Sequence, residues 1–162
     1  YVLATAHHET ARFKYDEEIG KGQGHPYGER IWIYRNTPVA YYGRGYVQQT
    51  WLGNYAKMSV ALTLEFGREV DLVNKPDLAS TPTVASQIIW EGMIRGMFTG
   101  SNLRDHINTD GVDYVEARRI VNGTDKATKI AGYARHFEIA LRLLEGEAPS
   151  GCPLNRADCP NN

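Results

Sequence analysis

The stretch HHETARFKYDEEIG, residues 7–20, places Glu9 a short distance before the pair Glu17 and Glu18. Four residues within or just before this stretch share the spacing of one helix face: Val2, Ala6, Glu9 and Phe13. Positions four and seven residues apart lie on the same side of an α-helix. The spacing therefore predicts that a helix begins the chain and that Glu9 lies on its buried, apolar stripe.

A carboxylate on an apolar helix face is costly in its charged form. Glu9 is therefore expected to hold a proton at neutral pH, as a general acid does. The alternative is a structural role, in which Glu9 is buried and paired with an arginine such as Arg12 or Arg44.

Glu18 adds a second carboxylate to the same region. On one continuous helix, Glu9 and Glu18 would face opposite ways, because nine residues make two and a half turns. The glycines that begin at Gly20 allow the chain to leave the helix and turn back. Two carboxylates across a cleft suit glycosidic bond hydrolysis, in which one protonates the leaving oxygen and the other activates water. The alternative for residues 16–18 is a solvated acidic patch.

Composition limits the class of protein. The 162 residues, 42% hydrophobic and 23% charged, suit one globular domain with a single core. The net charge of −1 comes with scattered basic residues, so no footprint for nucleic acid or an anionic membrane is predicted. Residues 1–146 are expected to form this domain and residues 147–162 a tail. Cys152 and Cys159 in the tail are expected to be disulfide-bonded or two free thiols, because no metal-ligand spacing surrounds them.

The pattern along the rest of the chain predicts a mainly α domain with one small β-hairpin. A glycine-rich loop is expected after Glu17, followed by a hairpin within residues 31–42 around an Asn-Thr-Pro turn. Apolar residues at helical spacing then predict a helix after residue 50 and another after residue 81. A further helix is expected to end at Asn122-Gly123, and the last one to run to Gly146. The expected N-cap residues are Thr50, Thr81 and Asp125.

The stretch YYGRGYVQQTWLGNY, residues 41–55, has the composition of a sugar site. Aromatic rings stack on sugar faces, amide side chains pair with hydroxyl and acetamido groups, and glycines allow close approach of the backbone. The alternative is the end of a hairpin that leads into a helix capped by Thr50.

Taken in order, five motifs resemble a known family. They are AHHETARF, EEIGKGQGHPYG, YYGRGYVQQTWLGNY, GMFTG followed by Leu103, and ARRIVNGTD. Together they resemble the lysozyme-like catalytic domain of glycoside hydrolase family 19, in its bacterial and phage branch, over about residues 2 to 145. The resemblance implies an α+β lysozyme-like fold whose hairpin lines a substrate cleft.

The resemblance also implies roles for individual residues. It makes Glu9 the general acid and Glu18 the general base of an inverting endo-glycosidase, with Thr50 helping to hold the attacking water. The residues expected to bind or organise the substrate are Tyr41, Arg44, Gln48, Asn54 and Asn122, and Arg44 is expected to organise the site rather than perform chemistry. No cofactor and no metal are implied.

Three features depart from the family pattern. Gln49 replaces an apolar residue, and Lys129 stands where chitinases often have a cleft arginine. The family also has a helical segment before the first motif, so an additional N-terminal segment of the same protein is expected.

Peptidoglycan is the substrate that the resemblance favours, since it points to the phage and bacterial branch, and chitin is the alternative. The protein is then expected to act on the cell wall as a monomer. A non-catalytic wall-binding module is a more distant alternative. A metalloprotease is disfavoured because His7 and His8 lack the i, i+4 histidine spacing of zinc proteases.

Overall fold

The computed structural model describes residues 1–33 and 37–146. Five α-helices occur in this part of the chain: α1 (Val2–Glu9), α2 (Leu52–Phe66), α3 (Pro82–Ile94), α4 (Leu103–His106) and α5 (Ala127–Leu144). Short 3₁₀ helices span Pro26–Gly28, Pro76–Ser80 and Glu116–Ile120, and one two-stranded antiparallel sheet joins β1 (Ile107–Asn108) to β2 (Gly111–Val112). The prediction of a mainly α fold with one small hairpin is confirmed.

The main core forms between α2 and α3, where apolar side chains at helical spacing meet. Helix α1 packs against α5 in a smaller cluster built on Ala4, Ile130 and Ala134. The small alanine side chains let the two helices approach closely. No helix in residues 1–33 or 37–146 combines the length and apolar character that a membrane crossing requires.

The hairpin lies elsewhere than expected. Within residues 31–42, the described part shows one isolated antiparallel bridge, with both backbone hydrogen bonds between Ile31 and Val39 at 2.9 and 3.0 Å. Residues 34–36 of the predicted hairpin, which include Asn36 of its turn, lie outside the described residues. The observed hairpin is formed by β1 and β2. The Asn108 side chain closes the turn between these strands, because it accepts hydrogen bonds from the backbone N–H groups of Asp110 and Gly111.

Two of the three predicted helix caps are wrong. Helix α2 begins after Trp51, not Thr50, and α5 begins after Lys126, not Asp125; both N-cap residues have left-handed φ values, 72° and 57°. Thr81 does precede α3, and Pro82 takes the first helical position, as expected. The Thr81 hydroxyl, however, makes no capping hydrogen bond to the helix and donates instead to the Leu78 carbonyl. The segment before Asn122-Gly123 is 3₁₀ rather than α-helical.

The chain leaves the helix directly after Glu9, as expected if Glu9 and Glu18 are to face one cleft. Ala11, Arg12 and Phe13 all have left-handed φ values, of 48°, 69° and 61°. The buried Thr10 hydroxyl stabilises this turn, since it donates to the Ala6 carbonyl at 2.7 Å and accepts from the Phe13 N–H at 2.8 Å. Phe13 is consequently half exposed and does not continue the buried stripe of α1.

The tail of residues 147–162, with Cys152 and Cys159, lies outside the described residues. The state of the two thiols, the domain boundary at residue 146 and the additional N-terminal segment stay predictions.

Gly45→Ala tests how the segment of residues 43–49 is anchored. Gly45 has a φ of 72°, and a Cβ there would lie 2.4 Å from the Ala79 carbonyl oxygen. A left-handed φ and a clash with backbone each cost about 1–3 kcal/mol, so the free energy of unfolding is expected to fall by at least about 1 kcal/mol. Urea denaturation measures the change. Gly53→Ala is the control, because Gly53 lies in α2 with open space around it. Equal stability of both variants would contradict the expected strain.

Candidate active site

Glu9 is the last residue of α1, and its carboxylate forms an ion pair with a buried arginine. Its Oε1 accepts a hydrogen bond of 2.6 Å from Nη1 of Arg118, whose side chain is only 2% exposed. Arg118 also donates from Nε to the Asp125 carbonyl at 2.9 Å, which fixes the guanidinium. The apolar stripe expected around Glu9 is thus interrupted by a guanidinium, and Glu9 has the kind of partner that the structural alternative described. An arginine partner is present, but it is Arg118 and neither Arg12 nor Arg44.

The Glu9 carboxylate is still accessible. Its side chain is 19% exposed, so water or a ligand can reach it. Within the described residues, its hydrogen bond to Arg118 involves Oε1 alone. This geometry anchors one carboxylate oxygen and leaves Oε2 for a ligand.

Glu18 is held through both carboxylate oxygens. Oε1 accepts a hydrogen bond from the Tyr27 hydroxyl at 3.1 Å, and Oε2 accepts one from the Gly43 N–H at 3.0 Å. The Glu18 backbone N–H donates to the Gly43 carbonyl at 2.8 Å. Partial burial and the bond to Glu18 raise the pKa of Tyr27, so its phenol stays a donor. These contacts fix the orientation of the carboxylate.

Glu17 has a different set of partners. Its carboxylate lies 3.0 Å from Lys21 Nζ and 3.9 Å from Arg44 Nε. The two neighbouring glutamates thus diverge, because Glu17 pairs with Arg44 in an isolated antiparallel bridge and side chains alternate along extended chain. The alternative of a solvated acidic patch does not fit Glu17, since its side chain is only 29% exposed and ion-paired.

Arg44 organises the segment that follows. Nη1 donates to the Ala40 carbonyl at 2.9 Å and to the Tyr55 hydroxyl at 3.2 Å, and Nη2 lies 2.9 Å from Asp77 Oδ1. The guanidinium carbon lies 3.6 Å from the centre of the Tyr42 ring. Arg44 is almost fully buried, so these contacts fix its guanidinium and let it organise the segment, as expected.

Tyr41 does not occupy the position predicted for it. Its side chain is 2% exposed, its ring packs edge-on against Tyr55, and its hydroxyl donates to the Val73 carbonyl at 2.7 Å. Tyr41 is therefore a core residue, and a direct contact with substrate does not fit this placement. Burial of Tyr41 is favourable because its ring is apolar and its hydroxyl has a hydrogen-bond partner.

Three other predicted residues come together around a small cavity. Gln48, Thr50 and Asn54 line a space of about 170 Å³. Asn54 donates from Nδ2 to the Thr50 carbonyl at 2.9 Å, and Gln48 donates from Nε2 to the Gly45 carbonyl at 3.1 Å. Lys57 adds one cation to the lining, so the cavity combines amide and hydroxyl groups with apolar side chains and a single charge.

Gly43 connects this cavity to Glu18. A Cβ at Gly43 would lie 2.9 Å from Gln48 Oε1 and 3.3 Å from Glu18 Cβ. Glu18 and Gln48 therefore flank the same glycine, and a side chain at residue 43 would push them apart. The structure brings together Glu18, Gln48, Thr50 and Asn54 through this contact.

Asn122 lies at the edge of the same region. It is exposed, and its backbone N–H donates to the Arg118 carbonyl at 3.0 Å. Its neighbour Val121 lines the small cavity. Asn122 itself is not among the residues that line the cavity.

Sequence reasoning missed Arg118 and Tyr27, the two side chains that hold the carboxylates. Both lie within quoted motifs, ARRIVNGTD and EEIGKGQGHPYG. Their presence in those motifs is the sequence signal that could have identified them. Helical spacing could not reveal them, because each acts on a carboxylate in another element.

The histidines beside Glu9 have aromatic neighbours. His7 packs edge-on against Tyr133, with ring centroids 4.6 Å apart, and burial lowers the pKa of His8. In residues 1–33 and 37–146, no group of three histidine, cysteine, aspartate or glutamate side chains is placed to hold a metal ion.

One curated relative extends the argument. The chain is 38% identical over 87 residues to an endochitinase of Arabidopsis thaliana, a match that covers 53% of this chain and 28% of the relative. The chain thus spans less than a third of the length of that relative. No family model matches the chain. The similarity supports a chitinase-like relationship, and membership of glycoside hydrolase family 19 stays a prediction.

Proposed function

We propose that this protein is a glycoside hydrolase that cleaves β-1,4 bonds in polymers of N-acetylated sugars, with Glu9 as general acid and Glu18 as general base. The observation that carries the proposal is the placement of Glu18: both carboxylate oxygens are held, beside a cavity lined by Gln48, Thr50 and Asn54. The chitinase-like relationship supports the same class of reaction.

The proposed reaction inverts the anomeric carbon. Glu9 gives a proton to the glycosidic oxygen as the bond between that oxygen and the anomeric carbon breaks. Water attacks the carbon from the opposite face, and Glu18 takes the proton that the water releases. Such a mechanism needs about 6.5–9.5 Å between the carboxylates, which leaves room for the water.

The contact with Arg118 gives Glu9 a defined part in this reaction, in which Glu9 acts in its protonated form. Because Oε1 is anchored by Arg118, Oε2 is the oxygen that would present the proton. After proton transfer the carboxylate is negative, and the adjacent guanidinium stabilises that charge. Arg118 thus acts through Glu9 as a positioning residue.

The remaining polar side chains suit the ligand. Gln48, Asn54 and Asn122 have amides that can pair with hydroxyl and acetamido groups. Thr50 has a hydroxyl that can hold the attacking water beside Glu18. Tyr41 and Arg44 would support the site from behind, because both are buried.

The substrate ranking follows from the relative. Its name is endochitinase, which favours chitin oligomers as the first substrate. Peptidoglycan is the second candidate and rests on the resemblance of the five motifs to the bacterial and phage branch. A non-catalytic wall-binding module is the alternative in a different class, and the presence of both glutamates disfavours it.

Product analysis tests the proposal. The protein is expected to shorten chitin oligomers and, more slowly, to release fragments from purified peptidoglycan, as detected by mass spectrometry. Proton NMR of the fresh product is expected to show the inverted anomer. Release from peptidoglycan alone would reverse the substrate ranking. A folded protein that cleaves neither polymer would instead indicate a binding module, and a retained anomer would rule out the mechanism.

A further inference from the structure

A second, larger cavity lies beside the bridge between Glu17 and Arg44, and both side chains line it. Its volume is about 630 Å³, and segments around residues 17–30, 39–44 and 74–81 line it. Its charged lining residues are Glu17, Lys21, Arg30, Arg44, Lys75 and Asp77.

The charges of this cavity do not cancel. Lys21 is paired with Glu17 at 3.0 Å, and Arg44 with Asp77 at 2.9 Å. These two pairs leave Arg30 with no acidic group at ion-pair distance in the described part of the chain.

Lys75 is the second cation without such a partner among the described residues. The other acid on its loop, Asp71, is already bound. Its carboxylate accepts hydrogen bonds from the Val73 and Asn74 backbone N–H groups and from the Asn74 side chain. The cavity therefore has an excess of two positive charges, from Arg30 and Lys75.

Arg44 supplies an independent sign of a missing partner. Its Nε is buried and has no hydrogen bond, with Glu17 3.9 Å away. Buried donors without a partner are rare in native structures, and each asks for an explanation such as an ion or a ligand group. The Asp77 side chain is 82% exposed, so its pairing with Arg44 is weak enough for another anion to compete.

We propose that this cavity is a binding site for a carboxylate group, with Arg30 and Lys75 at its mouth and Arg44 as its floor. Each of the three supplies donors that match a carboxylate. The cavity adjoins Glu18 through Glu17, and the Gln48 cavity through Arg44 and Gly45. The inference rests on the proposed function only in its expectation that the carboxylate is a substituent of a bound sugar.

The proposal adds a specificity element. An uncharged N-acetylglucosamine unit offers no negative charge to Arg30 and Lys75, whereas N-acetylmuramic acid has one carboxylate. Free carboxylates such as D-lactate share the same chemistry. The site would therefore distinguish acidic from neutral sugars without contact to either proposed catalytic glutamate.

Titrations followed by ¹H–¹⁵N NMR test the site with three probes: N-acetylmuramic acid, N-acetylglucosamine and D-lactate. N-acetylmuramic acid is expected to shift the amides of residues 74, 75, 77 and 78 and of Arg44, while N-acetylglucosamine leaves them unchanged. The double variant R30Q/K75Q is expected to weaken this binding by at least about tenfold, which corresponds to about 1.4 kcal/mol. Equal binding of D-lactate would identify free acids as the ligand, and weaker binding would identify the acidic sugar.

The matched control is R68Q/R104Q, which removes two exposed arginines that line none of the cavities described above. It should bind as the parent does. Absence of shifts at the cavity, an equal response to the neutral sugar, or an equal loss in both double variants would overturn the proposal. Circular dichroism checks the fold of each variant. Because binding is measured without turnover, a failure to hydrolyse both chitin and peptidoglycan would reject the proposed function and leave this result standing.

Discussion

Glu18→Gln is expected to reduce kcat on chitin oligomers by about 10²–10⁴ while the protein stays folded, because general-base catalysis contributes that much. The amide can still accept the Tyr27 hydrogen bond, but it cannot take a proton from water. Glu9→Gln is expected to lose a similar factor, since an amide cannot protonate the leaving oxygen. Initial rates on a saturating substrate measure both losses, with thermal unfolding as a check on the fold.

Glu17→Gln is the matched control for this pair. It keeps the shape of the side chain and removes only the ion pairs with Lys21 and Arg44, which lie on the other side of the extended segment. Its kcat should stay within a few-fold of the parent. If Glu17→Gln were inactive and Glu18→Gln active, the assignment of the base would be wrong by one residue.

Arg118→Met is expected to have the largest effect on stability. Loss of one partner from a buried ion pair costs about 3–5 kcal/mol, and the partial exposure of Glu9 places the expected loss near the lower end, about 3 kcal/mol. The hydrogen bond to the Asp125 carbonyl is lost as well. A lower kcat is also expected, because Glu9 loses the group that positions it. Urea denaturation and initial rates measure the two effects.

Arg119→Met is the control next to it in the chain. Arg119 is half exposed and pairs with Glu116, so its replacement should cost at most about 1 kcal/mol. Glu9→Gln combined with Arg118→Met separates the ion pair from other roles of the arginine. If the double variant lost the full sum of the two single effects, the pair would not be coupled and Arg118 would stabilise the fold in another way.

The sequence predicted the helices better than the hairpin. The apolar residues of α2 and α3 follow helical spacing, and that spacing survives in the core. Residues 31–42 have strand-forming composition but only one bridge, whereas the Asn108 side chain closes a tight turn between strands of two residues each. A turn closed by one polar side chain has little effect on the hydrophobic pattern of the sequence, so that pattern did not predict it.

The candidate site was predicted in part. The motifs led to Glu18, Gln48, Thr50 and Asn54, which the structure brings together, and to Tyr41, which it buries. The partner of Glu9 could not be found from spacing, because 109 residues separate Glu9 from Arg118. Pairings at that range depend on how α1 meets the turn before α5.

The bridge between Glu17 and Arg44 has a consequence for protein engineering. Two backbone hydrogen bonds flank it, from Glu18 N–H to the Gly43 carbonyl and from Gly45 N–H to the Asp16 carbonyl. A slip of one residue in this pairing would exchange the faces of Glu17 and Glu18. Insertions that preserve this register leave the choice between the two glutamates intact, whereas a single-residue deletion at Asp16 would turn the proposed base toward Arg44.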